Sequence, residues 1–107
     1  MASDNLKMFN DQNFESEVLR SNVPVLVQFT ATWCGPCKAL TPIVEKIADD
    51  FAGKIKVGKV DIDEAPMIPR NYGIRSVPTC IVFQNGVKTA AQIGLTSREN
   101  LLKLLGL

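Results

Sequence analysis

The stretch Val23-Pro24-Val25-Leu26-Val27-Gln28-Phe29 carries one polar side chain in seven residues. Successive side chains of a strand point to opposite faces, so a strand apolar at nearly every position must be buried on both. That requirement belongs to sheets covered by helices on either side, and it directs the chain to the α/β class. The strand, read as about Val23 to Thr30, leads into Thr32-Trp33-Cys34-Gly35-Pro36-Cys37-Lys38. Beyond it Leu40, Ile43, Val44, Ile47, Ala48 and Phe51 recur at helical spacing, predicting a helix over Lys38 to Phe51. Pro42 removes an internal hydrogen bond and is expected to kink it, and Ala52-Gly53 ends it. Cys34 then sits at the helix N-terminus and Cys37 one turn inside, on the same face. Their sulfurs can meet at the Cα spacing a disulfide needs, roughly 4.4–6.8 Å. Unpaired N–H groups and partial positive charge at the terminus favour thiolate over thiol at Cys34. Pro36 has no N–H, so the Cys37 amide is the expected donor to the Cys34 sulfur. The arrangement suits a reversible dithiol.

The remaining elements follow in order. Lys7-Met8-Phe9 reads as a short first strand, and Asn10 or Asp11 as the cap of a helix running to about Leu19. Lys54 to Asp63 reads as a third strand, Pro66 to Tyr72 as a short irregular helix ended by Gly73, and Thr79 to Phe83 as a fourth strand. Asn85-Gly86 is a hairpin signal leading to an antiparallel fifth strand over Val87 to Ile93. Thr96-Ser97-Arg98-Glu99 has the form of a capping box before a last helix containing Leu101, Leu102, Leu104 and Leu105. The order is β-α-β-α-β-α-β-β-α: a mixed five-stranded sheet flanked by four helices, in one domain spanning residues 1–107.

Composition narrows the function. A net charge of +1 without a basic cluster or stacking aromatics gives no case for nucleic acid. No apolar run approaches the roughly 18 residues of a membrane span. Met1-Ala2-Ser3-Asp4-Asn5-Leu6-Lys7 lacks the basic-then-apolar pattern of a secretory signal, so a cytoplasmic location is expected. Structural zinc takes four ligands, whereas the chain has three cysteines and no histidine. No metal is expected, and the absence of histidine also removes Cys–His nucleophilic catalysis. Cys80 lies in the apolar fourth strand and reads as a small buried hydrophobe, with a regulatory thiol as the lesser alternative.

Trp33-Cys34-Gly35-Pro36-Cys37-Lys38 resembles the active-site motif of the thioredoxin family. Tyr72 to Thr79 resembles that family's loop before its cis-proline; Phe83-Gln84-Asn85-Gly86 and Ile93-Gly94 resemble its hairpin and substrate-groove glycine. The similarity runs from about Phe9 onward without large gaps. It implies a thioredoxin fold and a thiol–disulfide oxidoreductase that reduces protein disulfides. Cys34 would be the nucleophile and Cys37 the thiol that resolves the mixed disulfide, leaving an oxidised Cys34–Cys37 pair. By the same resemblance Val77-Pro78 would be cis, and Trp33, Gly35, Pro36, Ile62, Val77, Pro78, Gly94 and Leu95 would form a shallow, mostly apolar docking patch. Implied partners are a thioredoxin reductase, supplying electrons without a bound cofactor, and disulfide-containing target proteins. The protein is expected to act as a monomer.

Two positions depart from the family pattern. Gln28 occupies the place of a buried aspartate beneath the second cysteine, where an amide cannot accept a proton as a carboxylate does. Lys59 would lie near that position. Thr30 stands where many members have tryptophan, which leaves Trp33 the one tryptophan in the chain. Gln28 is also the feature that favours the alternative reading, a redox-indifferent module that docks partners through the patch around Trp33. Two intact thiols, for which a docking surface has no use, speak against it.

Overall fold

The computed structural model describes residues 4–107; Met1–Ser3, part of the stretch read above for a secretory signal, lie outside the described residues. A five-stranded sheet is built from β1 (Leu6–Phe9), β2 (Val25–Thr30), β3 (Lys56–Asp61), β4 (Thr79–Gln84) and β5 (Val87–Ile93), in the spatial order β1-β3-β2-β4-β5. β1 and β2 flank β3 in parallel, while β4 runs antiparallel to both β2 and β5. The sheet is mixed, as the sequence order requires.

β2 is the middle strand, and Val25 to Phe29 are all buried. Its side chains alternate between two cores. Val25, Val27 and Phe29 pack with Phe9, Phe14, Ile68, Ile81 and Phe83 on one side. Leu26 packs with Leu40, Val44, Ile47, Val82 and Leu101 on the other. The second side is covered by α1 (Gly35–Asp50) and α3 (Arg98–Leu104). The first is covered by the π-helical turn Glu15–Leu19 and by α2 (Met67–Asn71). There the rings of Phe9, Phe14, Tyr72 and Phe83 meet largely edge to face, with centroids 5.2–6.3 Å apart. Gly58 is required beneath them, since a Cβ at that position would lie 2.4 Å from the Phe9 ring.

Several local expectations change. The helix read from Asn10 or Asp11 to about Leu19 is capped by Asn10, and it runs through turns into the π-helical segment Glu15–Leu19. The Asn10 side-chain oxygen accepts from the amides of Gln12 and Asn13, and its carbonyl accepts from the Phe14 amide at 3.0 Å, as at a helix N-cap. The Asp11 carboxylate accepts from the amides of Met67 and Ile68, at 3.4 and 3.3 Å, and so serves the start of α2. α1 begins at Gly35 with Cys34 at its N-terminus, as expected, and Pro42 lies inside it. β3 is shorter than Lys54 to Asp63; Val57 and Val60 belong to opposite cores, so it is buried on both faces. The cap of α3 is Ser97, whose Oγ accepts from the Asn100 amide at 3.1 Å, while the Thr96 hydroxyl accepts from the Asn100 side chain. The turn Asn85-Gly86 has positive φ at both residues (54° and 78°), the geometry that joins twisted antiparallel strands in a two-residue loop.

Candidate active site

β2 delivers the chain to the end of the sheet, and Ala31 to Trp33 carry it to the N-terminus of α1. Cys34 is the N-cap of that helix, with extended φ and ψ (−96°, 111°), and the Cys37 amide donates to its Sγ at 3.2 Å. The sulfurs of Cys34 and Cys37 are bonded, with their Cα atoms 5.3 Å apart. Sixteen residues of aligned peptide dipoles lie behind Cys34, and no acidic residue in the first turn offsets them. Pro36 contributes no N–H, which leaves the Cys37 amide as the donor that holds the sulfur. This geometry stabilises negative charge on Cys34 when the pair is reduced.

Both cysteines are buried with Ala31, and Ile62 and Val77 pack against them. The Val77–Pro78 peptide is cis. The Gly94 amide donates to the Pro78 carbonyl at 2.8 Å, which brings the end of β5 beside the proline. Trp33 is 67% exposed, and its indole N–H donates to Asp63 Oδ2 at 2.9 Å, spanning from the active-site loop to the end of β3. Gly35 and Pro36 are exposed, Gly94 is half-buried, and Leu95 is exposed. An apolar rim therefore surrounds a buried disulfide.

Gln28 lies beneath the first turn of α1 and is fully buried. Its side-chain amide donates to the Cys37 carbonyl at 3.4 Å and to Thr41 Oγ1 at 3.3 Å. The Thr41 hydroxyl in turn donates to the Cys37 carbonyl at 2.9 Å. Gln28 thus ties the centre of the sheet to the residue that carries the second sulfur. Strand pairing continues from it in both directions. Lys59 is its register partner on β3 and Cys80 on β4; Met8 pairs with Lys59 and Gln92 with Cys80. A transverse row of Met8, Lys59, Gln28, Cys80 and Gln92 therefore crosses the sheet on its α1 side.

Thr41 and Asp63 were not singled out from the sequence. Thr41 had a legible signal, since it lies four residues after Cys37 and hence on the same helix face. Asp63 had none, because its tie to Trp33 crosses between elements. Among the described residues no group of three or more His, Cys, Asp or Glu is placed to hold a metal ion.

Cys80 is completely buried, and burial pushes its thiol up to about 12. At pH 8 its thiolate fraction is then lower than that of an ordinary cysteine, whose pKa is about 8.5, by on the order of 10³-fold. After mild oxidation and iodoacetamide treatment, mass spectrometry should find Cys34 and Cys37 joined and Cys80 unmodified until the protein is denatured. Recovery of a bridge that includes Cys80 would contradict this.

Residues 5–106 match the family model described as Thioredoxin. The chain is 53% identical over 92 residues to a thioredoxin of Rickettsia felis, covering 86% of this chain and 88% of that protein. It is 45% identical over 103 residues to a thioredoxin of Acidithiobacillus ferridurans, covering 96% and 95%. Thioredoxin M4, chloroplastic, of Arabidopsis thaliana is 50% identical over 96 residues, which cover 90% of this chain and 50% of that protein.

Proposed function

The chain belongs to the thioredoxin family of thiol–disulfide oxidoreductases, and on that premise we propose that it reduces disulfides in other proteins, with Cys34 attacking and Cys37 resolving. The observation that carries this reading is the bonded Cys34–Cys37 pair at the head of α1, with the Cys37 amide on the Cys34 sulfur. Cys34 as thiolate attacks a substrate disulfide, joins one substrate sulfur and releases the other as thiolate. Cys37 as thiolate then attacks Cys34, closes the intramolecular disulfide and expels the second substrate sulfur, which takes a proton from solvent. Two electrons pass from the dithiol to the substrate, and a thioredoxin reductase restores them without a cofactor bound to this chain.

Targets dock across the rim formed by Trp33, Gly35, Pro36, Ile62, Val77, Pro78, Gly94 and Leu95. A rim with few charges accommodates varied protein surfaces in place of one small metabolite. Val77 packs against the dithiol beside Pro78, which suits its backbone to pairing with an extended substrate segment. Residues 1–107 work as one monomeric domain. The protein acts in the cytoplasm, where glutathione and thioredoxin systems keep thiols reduced; among the described residues no helix is long and apolar enough to cross a membrane.

The test is reduction of insulin disulfides with NADPH- and ferredoxin-linked reductase systems supplied in turn. Wild type should turn over with one of them, and Cys34→Ser should fall to the uncatalysed background. A Cys34→Ser variant that still performs the cellular function would establish the docking module in its place.

A further inference from the structure

The docking rim itself bears no charged side chain, but one end of it continues into a cavity that does. This cavity, of about 160 Å³, is lined by Ile74, Arg75, Ile81, Lys88, Ala91 and Ile93 among others. Two of its walls run directly into the rim. The loop passes from Arg75 through Ser76 to Val77 and the cis-proline, and β5 ends at Ile93 just before Gly94 and Leu95. Ile93 is also the register partner of Thr79, the residue after that proline. Ile81 is fully buried and Ile93 is 71% exposed, so an apolar floor opens to solvent at the rim end.

The charge around this floor has one sign. Arg75 and Lys88 are exposed, and neither has a side-chain hydrogen bond or ion pair among the described residues; Arg20 and Arg98 each pair with a carboxylate. No acidic residue lines the cavity, and Tyr72, which does, is kept neutral by burial that pushes its phenol up. The carboxylate tied to the rim, Asp63, is held by the Trp33 indole just past the end of β3. The sheet order sets β3 and β5 on opposite sides of β2 and β4, so the acidic and basic sides of the rim are separate.

We propose that this cavity selects targets by sequence, taking an acidic side chain carried two to four residues from the target's reacting cysteine. The proposal rests on the disulfide-reductase reading above and names its substrate class: extended protein segments with a carboxylate on one defined side of that cysteine. Val77 packs against the dithiol, and an extended segment laid along it advances about 3.3 Å per residue. Arg75 lies two residues from Val77, so it meets the segment about 7 Å from the reacting sulfur. Its guanidinium offers a carboxylate two parallel donors, while Lys88 adds a second positive charge behind it. Ile74, Ile81 and Ile93 supply apolar surface for the segment's neighbouring side chain.

The test uses acetylated, amidated peptides with one cysteine, held as its mixed disulfide with 2-mercaptoethanol. Glu or Gln stands three residues before or three residues after the cysteine in an otherwise uncharged sequence. Chemically reduced protein is mixed with each peptide and quenched in acid, and the released peptide thiol is measured by chromatography. At low ionic strength wild type should reduce the Glu peptide about three- to fivefold faster than its Gln counterpart, on one side of the cysteine only. At ~1 M salt, where the screening length falls to about 3 Å, that ratio should approach one. The double variant Arg75→Ser, Lys88→Ser should bring it to one at low salt, and Arg75→Glu should favour a Lys peptide over the Gln peptide. Each ratio is taken within one protein, so a partly folded variant does not distort it. Equal rates for Glu and Gln peptides in wild type would overturn the proposal. So would an equal preference on both sides of the cysteine, or a wild-type ratio in the double variant. A wild type that reduces none of the peptides would sink the disulfide-reductase reading itself.

Discussion

Cys37→Ser is expected to abolish turnover while leaving the first attack intact, so that Cys34 accumulates in a covalent complex with its substrate. The donor to the Cys34 sulfur is the backbone amide of residue 37, at 3.2 Å, and a serine keeps it. The helix dipole is likewise untouched, so Cys34 remains a thiolate ready to attack. Only the second step is lost. Well-oriented intramolecular reactions reach effective molarities of ~10⁵–10⁸ M, which an external thiol at ~1 mM cannot approach. Cys80 cannot substitute for Cys37, being fully buried with its thiol pushed up to about 12. Steady-state insulin reduction should therefore fall by well over ~10²-fold. Non-reducing electrophoresis should show a disulfide-linked adduct that dithiothreitol dissolves. An adduct that fails to form, or turnover within tenfold of wild type, would contradict the assignment of the two roles.

Gln28→Asp should accelerate resolution and destabilise the fold in the same protein. The side chain is 0% exposed and lies under the Cys37 carbonyl. A carboxylate introduced there can accept the thiol proton, and general-base assistance is typically worth ~10²–10⁴-fold. Solvent can serve as acceptor in wild type, so the expected gain near neutral pH is at or below the low end of that range. The pH profile of resolution should also acquire a second ionisation.

The cost comes from burial, which raises the pKa of a carboxylic acid by up to about 3–5 units. Each unit corresponds to about 1.36 kcal/mol, so a shift of about three units removes about 4 kcal/mol. The folded pKa then lies above the unfolded value of about 3.9, and the native state holds the proton more tightly. The penalty is therefore absent in acid, grows as pH rises through that window, and is complete above the folded pKa. Lys59, the register partner, offsets part of it once the carboxylate is ionised. Urea unfolding from pH 4 to pH 8 measures this. A variant equally stable across that range, with an unchanged rate of resolution in single-turnover disulfide reduction, would assign Gln28 to packing alone.

Gln28 also illustrates what was legible beforehand. The run around it announced a strand buried on both faces, while the place of Gln28 beneath the second cysteine came from the resemblance to the family. The junction of strand, two cysteines and helix was readable because all of its signals are local: apolar runs, i to i+3 spacing, a proline without an N–H. The Asn85-Gly86 turn was readable for the same reason. Features that depend on distant chain were not. Asp11 looked like a cap for its own helix, yet its oxygens serve Met67 and Ile68, 56 and 57 residues away. Trp33 meets Asp63 at a separation of 30, which no local pattern encodes. Thr30 could be marked as a departure from sequence alone. That it borders a cavity shared with Cys37 and Lys59 required the positions of α1 and β3.

The strand order β1-β3-β2-β4-β5 also sets a timetable during synthesis. β1 pairs with β3 and not with β2, so it has no edge to join until Asp61 has been made. Between Phe9 and that point the ribosome adds about fifty residues, which at ~5–20 residues per second takes about 3–10 s. For that interval Phe9, which ends 2% exposed, is an unshielded aromatic side chain on a nascent chain. β2 waits for β3 as well, and gains its second neighbour only when β4 emerges. The nascent chain therefore presents its most apolar strand before either flank exists, which makes that segment a natural target for a ribosome-bound chaperone.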